Sequence, residues 1–565
     1  MANKAKNEET LELFTSLNIE KMKQILPLLL CCMTVTLPLN AQEFIDINGN
    51  IFPLSKVTNI RSSWQEHPAS LSLLLQTDKN ISLFCEALEA TGWMDSLKCY
   101  SDKDYTVGAD STNWTNDALI FPTGTEYDNV AYMSQRLIAH TVFVEPDSVY
   151  KQKGILSLTD LKNYAKQVYD AVFPEDANIS EITDTRNSLN RFVAYHILPF
   201  SAGYYQLTCV DDPNSTLAIN WNRRVWDIAD WYETCMPYSI MKCSFPSGTA
   251  TGLYINRRGV QSRADERGVF VRGTKVADPT TMNGLGLGVN GKYHYIDDII
   301  DYGSITQTVV LNERMRIDCS TLSPDFMTSG ARGHYTRSNY ENGKYSTWDG
   351  TGSHNNKRTC LGFKSGAARN FEFEDKQTHL HVRPRTLSFW SYQGDEVIIS
   401  RGRDVKVKLP PVPAGTYELR LGTCVGFSNR GLIQFYIDDI PWGVPVDMRP
   451  GGVQLFGWKS DKELGEEEAI AAFDKSIHNQ GWMKGPESYY SSSSESGGTQ
   501  GTCFRDAPNL VRRVIGHFVS DGKTDHYLRM KQVVDDYYRS VMVFDYIELV
   551  PASIYDNETY VEDRW

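Results

Sequence analysis

Between Ser70 and Leu97 apolar residues recur at helical spacing, at Leu71, Leu74 and Leu75 and again at Phe84, Ala87 and Leu88. That spacing predicts helix, and Gly92 in Ser82-Leu-Phe-Cys-Glu-Ala-Leu-Glu-Ala-Thr-Gly-Trp93 supplies a natural stop. Residues 100–139 are more polar and predict an elaborated loop carrying Trp114 and the turn Phe121-Pro-Thr-Gly-Thr-Glu-Tyr127. A short apolar strand follows, Thr141 to Val144. It stops at Pro146, with Asp147 or Ser148 free to cap the next helix. About fifty residues later an amphipathic helix runs into Tyr195-His196 and is closed by Pro199. Residues 200–304 read as strands with a short helical interruption.

The remainder has a different texture. Strict alternation marks Val405-Lys-Val-Lys-Leu409, Thr416-Tyr-Glu-Leu-Arg-Leu421, Gly431-Leu-Ile-Gln-Phe-Tyr-Ile437 and Met542-Val-Phe-Asp-Tyr-Ile-Glu-Leu-Val550. Gly, Pro and Asn turns separate these runs, the pattern of a β-sandwich. Pro410, Pro411 and Pro413 fit only a connection or an edge. Tyr489-Tyr-Ser-Ser-Ser-Ser-Glu-Ser-Gly-Gly-Thr-Gln-Gly501 reads as a surface loop within the sandwich.

Two segments carry a family resemblance. His140-Thr-Val-Phe-Val-Glu-Pro-Asp-Ser-Val-Tyr150 and Asn190-Arg-Phe-Val-Ala-Tyr-His-Ile-Leu-Pro199 resemble the "TVFAPTDEAF" and "YHVLPG" signatures of fasciclin-type domains. The helix at Ser82–Trp93 resembles that family's opening helix. Gly268-Val-Phe-Val-Arg-Gly-Thr274 followed by Asn290-Gly-Lys-Tyr-His-Tyr-Ile-Asp-Asp-Ile-Ile300 resembles its closing hairpin, "NGVIHVID". The resemblance implies an α+β fasciclin-type domain, a β-sandwich wedge with helices, over 66–304. An all-β, jelly-roll-like sandwich similar to carbohydrate-binding modules is expected over 305–565, closing with His526-Tyr-Leu-Arg-Met-Lys531 and Phe544-Asp-Tyr-Ile-Glu-Leu-Val-Pro551.

At 565 residues the chain is too long for one core, so several domains are expected. Its charged fraction of 22% and apolar fraction of 41% exclude global disorder. A net charge of −13 excludes a phosphate-neutralising role, so nucleic acid is not an expected partner. Met22 to Ala41 has a basic start, a short apolar run and a small residue before Gln42. That is the pattern of a secretory signal peptide cleaved near Ala41, with Met22 an alternative start and 42–65 a lead-in segment. The competing reading is a lipid anchor on Cys31 or Cys32, although no small residue precedes either. No later apolar run reaches ~18 residues, which leaves peripheral membrane association open. The remaining cysteines contain no C-x-x-C pair, excluding zinc-ribbon and thioredoxin patterns; Cys235 and Cys243 are the nearest pair for a disulfide.

Catalytic motifs are absent. Gly286-Leu-Gly288-Val-Asn-Gly291 spells G-x-G-x-x-G but runs into β-like residues, so it predicts a glycine-rich hairpin, not a dinucleotide turn. There is no nucleophile elbow, P-loop or H-E-x-x-H motif. The acid pairs Asp297-Asp298 and Asp438-Asp439 point to opposite strand faces; solvated strand ends, or calcium at a turn, are the readings open to them. No cofactor, metal site or catalytic residue is expected.

The candidate binding residues are aromatics in turn-rich stretches: Tyr345 and Trp348, Trp442 in Asp439-Ile-Pro-Trp-Gly443, and Trp458 in Phe456-Gly-Trp-Lys-Ser-Asp461. Such rings suit sugar C–H faces. In fasciclin-type domains the dipeptide matching Tyr195-His196 has been tied to adhesion, against the simpler reading of a packed, hydrogen-bonded pair. The whole resembles fasciclin-domain proteins of gut Bacteroidota encoded beside starch-utilisation-type glycan uptake systems. The resemblance implies a non-enzymatic adhesion or glycan-binding accessory protein at the outer membrane or cell surface. Its partners would be glycan, or a TonB-dependent transporter with its surface lipoprotein. The alternatives are a sugar-blind protein–protein module and a cryptic hydrolase.

Overall fold

The computed structural model describes residues 44–47, 50–53, 69–105, 119–120, 126–127, 129–132, 136–204, 206–208, 227–246, 252–259, 268–278, 287–328, 359–363, 365–374, 378–383, 392–394, 396–400, 404–487, 503–534 and 541–556. The expected leader at 1–41, Trp114, Tyr345, Trp348 and the loop from Tyr489 to Gly501 lie outside them. Met1–His67 and Pro68–Trp565 are separate compact units. In the first, β1 (Phe44–Ile47) and β2 (Asn50–Pro53) pair as an antiparallel hairpin.

The second unit opens with the predicted helical stretch, divided into α1 (Leu71–Thr77), α2 (Ser82–Ala90) and α3 (Trp93–Ser96). Gly92 breaks it at φ +80°, a conformation glycine adopts without strain. Helix α2 has no cap of its own at Ile81. Asp147 supplies one from afar: Oδ1 accepts from the Leu83 amide at 3.1 Å and Oδ2 from the Ser82 hydroxyl at 2.5 Å. Asp147 therefore caps α2 rather than α4 (Asp147–Gln152), the helix it begins. Within 100–139 lie β3 (Leu119–Ile120), β4 (Glu126–Tyr127) and β5 (Asn129–Tyr132).

The signature segments meet in one sheet. Strand β6 (His140–Val144) pairs antiparallel with β7 (Ile197–Leu198) and parallel with β13 (Gly291–Tyr295), and β12 (Leu287–Gly288) flanks β13. The glycine-rich run is a β12–β13 hairpin turning at Val289-Asn290. A Cβ on Gly291 would lie 2.2 Å from the His140 carbonyl oxygen, so only glycine lets these strands meet. The Asn290 side chain accepts from the Leu71 amide at 2.8 Å and donates to the carbonyls of Leu97 and Cys99, tying the helices to the turn.

Helices α5 (Leu158–Val172) and α6 (Ser188–Tyr195) pack on this sheet's side of the core. Helix α6 is buried all round rather than amphipathic, from Ser188 to Tyr195. Strands β8 (Asp227–Glu233), β9 (Ile240–Pro246), β10 (Tyr254–Ile255) and β11 (Thr274–Lys275) form an antiparallel sheet in the order β11-β10-β9-β8. The closing hairpin differs from expectation. Thr274 pairs with Ile255 and Val271 bridges Arg258; the later strand is reached only past Thr274, where Val276 bridges Ile296, the Ala277 amide donates to the Tyr295 carbonyl and the Asp297 amide to the Lys275 carbonyl. Cys235 and Cys243 are free thiols, not a disulfide.

From residue 315 on, three five-stranded sheets appear. The first runs β14 (Met315–Asp318), β27 (Tyr546–Pro551), β20 (Gly415–Cys424), β24 (Leu510–Ser520), β23 (Trp482–Lys484). The second runs β16 (Phe371–Phe373), β19 (Asp404–Lys408), β25 (Tyr527–Gln532), β21 (Leu432–Ile437), β22 (Ile440–Asp447). The third runs β26 (Val541–Phe544), β18 (Glu396–Ser400), β17 (His379–Arg383), β15 (Thr359–Phe363), with β5 joining β15 in parallel. All the other pairings in these sheets are antiparallel. The fold is thus mixed α/β and β-rich. The part expected to be all-β also carries α7 (Pro324–Thr328), α8 (Gly452–Phe456), α9 (Asp461–Leu464), α10 (Glu467–Asn479) and α11 (Ala552–Tyr555).

Along β20, Tyr417, Leu419 and Leu421 face the apolar core, as the alternation predicts. The opposite face is buried too. There Glu548 accepts from Arg316 Nε at 2.7 Å and from Arg420 and Arg512 at 3.4 Å. Burial alone would raise the Glu548 carboxyl, but Arg512, Arg316, Arg314 and Arg420 outweigh it and hold it well below the carboxylate range. No helix among the described residues is long and apolar enough to cross a membrane.

Candidate functional site

Tyr195 and His196 are both fully buried. The Tyr195 hydroxyl accepts from Asn256 Nδ2 at 2.9 Å, and burial raises its pKa well above the usual phenol value. His196 sits 2.7 Å from the Phe192 carbonyl through Nδ1 and 2.7 Å from Glu145 Oε1 through Nε2. The Tyr150 hydroxyl donates to the other Glu145 oxygen at 2.7 Å. The two signature segments thus join through an internal hydrogen-bonded chain, and no partner can touch Tyr195 or His196 directly.

The candidate aromatics scatter. Trp458 is half-buried where α8 gives way to α9, and the Lys484 ammonium lies over its ring at 5.8 Å. Lys484 is pinned by Asp461 Oδ1 at 2.6 Å, and burial lowers its pKa against that pairing. Trp442 is half-buried on β22, an edge strand, and packs over Gly516 of β24. Asp438 and Asp439 are exposed at the turn between β21 and β22, and both carry partners. Asp438 meets His526 Nδ1 at 2.7 Å, and Asp439 meets Lys406 at 2.9 Å and Arg529 at 3.3 Å. Among the described residues no cluster of three His, Cys, Asp or Glu side chains could hold a metal ion.

A small open cleft lies elsewhere, between the end of β7 and β8 on one side and β14, the turn after it and β19 on the other. Its apolar wall is Pro199, Phe200, Ile317, Leu322, Pro324 and Pro410; Trp231, Glu233, Thr321, Asn370 and Lys408 supply polar groups. Trp231 and Glu233 reach it together because residues two apart on a strand share a face. Phe200 is fixed by an edge contact with Tyr232, ring centroids 5.2 Å apart, and its carbonyl accepts from the Thr141 hydroxyl. Across β8 and β9, Lys242 places its ammonium 5.5 Å above the Trp231 ring and pairs with Glu313.

Asn370 holds a left-handed backbone, φ +71°, that turns the chain into the cleft wall. Its side chain donates to the Leu322 carbonyl at 2.8 Å, and its own carbonyl accepts from the Lys408 amide at 2.8 Å. The Lys408 ammonium sits 2.8 Å from Glu233 and 3.3 Å from Asp525. Burial would depress it, but Glu233 and then Asp525 outweigh burial and raise its pKa, so it is charged at neutral pH. Trp231 is only 6% exposed, yet its indole N–H has no acceptor among the described residues. A buried donor left unpaired is costly.

The sequence did not single out Trp231. The signal, a tryptophan between Asp230 and Glu233 in a strand, is weak by itself, and the Lys408 that pairs with Glu233 lies 175 residues further on.

No protein-family model matches the chain, and no curated protein matches it. Among solved structures the chain is similar to a xanthan lyase of Paenibacillus at 14% identity and a TM-score of 0.17, covering 30% of this chain and 12% of the lyase. It is similar to the Cry4Aa mosquito-larvicidal toxin of Bacillus thuringiensis at 14% identity and a TM-score of 0.15, covering 28% of this chain and 19% of the toxin. The insecticidal crystal protein Cry2Aa matches at 9% identity and a TM-score of 0.18, over 72% of this chain and 69% of that protein. Likenesses at these scores bear on neither fold nor function.

Proposed function

We propose that the protein is an exported, non-enzymatic glycan-binding accessory of the cell envelope, with a fasciclin-type first half and a jelly-roll-like second half. The observation that carries the ligand class is the cleft. It sets an indole ring, an amide and a hydroxyl beside apolar walls, the mixture of groups that a sugar ring requires. The one cation there, Lys408, already faces two carboxylates, so the cleft favours a neutral sugar over an acidic one. The resemblance of the signature segments supports the envelope setting, with a TonB-dependent transporter and its surface lipoprotein as protein partners.

The test is a glycan screen with calorimetry on the whole chain, repeated with Trp231→Leu, which keeps an apolar wall and removes the ring. Saturable binding to a neutral glycan, weakened about tenfold by the substitution, is expected for one lost aromatic face. Failure of the whole chain to bind any glycan would overturn the reading.

A protein-binding reading is favoured by one observation. On edge strand β22, Ile440 is 63% and Val444 76% exposed, beside Trp442. Pro441 and Pro445 deny that edge a continuous row of donors, so a partner there would pack on side chains rather than add a strand. Pull-down of transporter components by wild type and not by Val444→Asp would support it.

A further inference from the structure

Arg513 presents an unusual arrangement of charge. It lies on β24, half-buried, with its guanidinium carbon 5.0 Å over the Trp482 ring. Nη1 donates to the Gly481 carbonyl at 2.7 Å and to the Gln480 carbonyl at 3.2 Å, just past the end of α10. Nε is buried without an acceptor. Among the described residues Nη2 makes no hydrogen bond and no carboxylate pairs with the group. Carbonyl dipoles at a helix end neutralise such a cation only in part. Two buried arginines elsewhere in the fold have acids: Arg505 meets Asp461 and Asp474 at 2.6 Å, and Arg191 meets Asp176 at 2.6 Å.

Gly443, at φ +62°, follows Trp442 on β22 and passes beside the guanidinium: a Cβ there would stand at ordinary contact distance, 4.0 Å, from Nη2. At Gly481 a Cβ would lie 2.3 Å from Nη1, so a side chain would displace the guanidinium. Trp442 is half-buried, with its ring on Gly516. On its other flank His517 stands at 6.3 Å between ring centroids, its Nε2 3.2 Å from Glu418 Oε2. Arg513 is therefore the uncompensated cation at this place, fixed by two carbonyls and a ring before any ligand arrives. A planar fork held this way is suited to a carboxylate or sulfate oxygen.

We propose that Arg513 and Trp442 form a second binding site, distinct from the cleft, that takes an acidic sugar. Its carboxylate or sulfate pairs with the open Nη2 edge while the sugar ring lies against Trp442. The carbonyls of Gln480 and Gly481 aim the guanidinium.

The experiment is ligand-observed NMR titration of the whole chain with methyl β-glucuronide, methyl β-glucoside and inorganic sulfate. Wild type is expected to bind the glucuronide about tenfold tighter than the glucoside, the usual scale for one charge-assisted contact. Competition by sulfate would extend the site to sulfated sugars, and its absence would restrict it to uronates. Arg513→Gln should erase the preference. Because Arg513 also closes α10, Gly443→Asp serves as the second variant. Aspartate tolerates left-handed backbone and places a carboxylate beside Nη2. It should abolish glucuronide binding with the melting temperature kept. Equal binding of glucuronide and glucoside by wild type, or an undiminished preference in Gly443→Asp, would overturn the proposal.

Discussion

Among single residues, Glu145 has the most depending on it. The Phe192 carbonyl can only accept, so Nδ1 of His196 carries a proton, and the ring's other nitrogen faces the Glu145 carboxylate. The Tyr150 hydroxyl donates to the same carboxylate; burial and then Glu145 push that phenol well above its ordinary range. Glu145→Ala would leave the imidazole Nε2 and a hydroxyl unpaired in a fully buried place, and we expect a loss of about 3–5 kcal/mol. Glu145→Gln keeps the shape and one acceptor and should lose less. Urea unfolding of the two variants measures the difference; equal loss would mean that volume, not hydrogen bonding, dominates. Tyr195 and His196 are held by internal pairing with Asn256 and Glu145.

Among elements, helix α2 depends on Asp147, 64 residues from the amide it caps. Asp147→Ala should cost about 1–2 kcal/mol, while Ser148→Ala, on α4 itself, should cost little; thermal melts distinguish them. This cap marks a limit of sequence reading. The strand at Thr141–Val144, the stop at Gly92, the glycine hairpin and the alternating strands were all legible, because periodicity and turn chemistry are local. The direction of the Asp147 side chain was not, since it depends on where α2 docks. On β20 the alternation of Glu418 and Arg420 with apolar neighbours reads as a wet face. Yet arginines from distant strands gather on Glu548 and close that face off. Helix α10 is a different case. Ile470, Phe473 and Ile477 stand at helical spacing in plain view, and only an all-β expectation for 305–565 obscures them. The cleft was the least legible feature, because Trp231, Asn370 and Lys408 each look ordinary alone.

At the scale of the whole molecule, residues on either side of 304/305 are bound to each other within Pro68–Trp565. Gln393 donates to the buried Asp230, Lys408 pairs with Glu233, and Arg258 donates to the carbonyls of Val309 and Asn312. Strand β5 also joins β15. Loss of stability in one half should therefore be felt in the other, and pH offers a way to apply it. Burial lowers the pKa of His140 to about 4, with the Arg369 charge adding to the effect; burial likewise lowers His294 to about 4. Both values lie below the roughly 6.5 of an unfolded histidine. Stability from keeping these rings neutral is thus complete above about pH 6.5 and is lost as pH falls towards 4. The unfolded chain binds the two protons first. By linkage each histidine costs about 2 kcal/mol between pH 7.5 and pH 5. Carboxylates held low, such as Glu418 beneath Arg420, His478 and His517, begin to lose their contribution only at lower pH. The urea midpoint should therefore fall steeply between pH 7 and 5, and His294→Gln should remove about half of the fall. Cys243 in the first half and Cys503 in the second are buried free thiols that can report opening of each half. If the two halves unfold as one, thiol labelling at both positions shifts by the same amount with pH. A shift at Cys243 alone would mean that the contacts across residue 304 do not couple the halves.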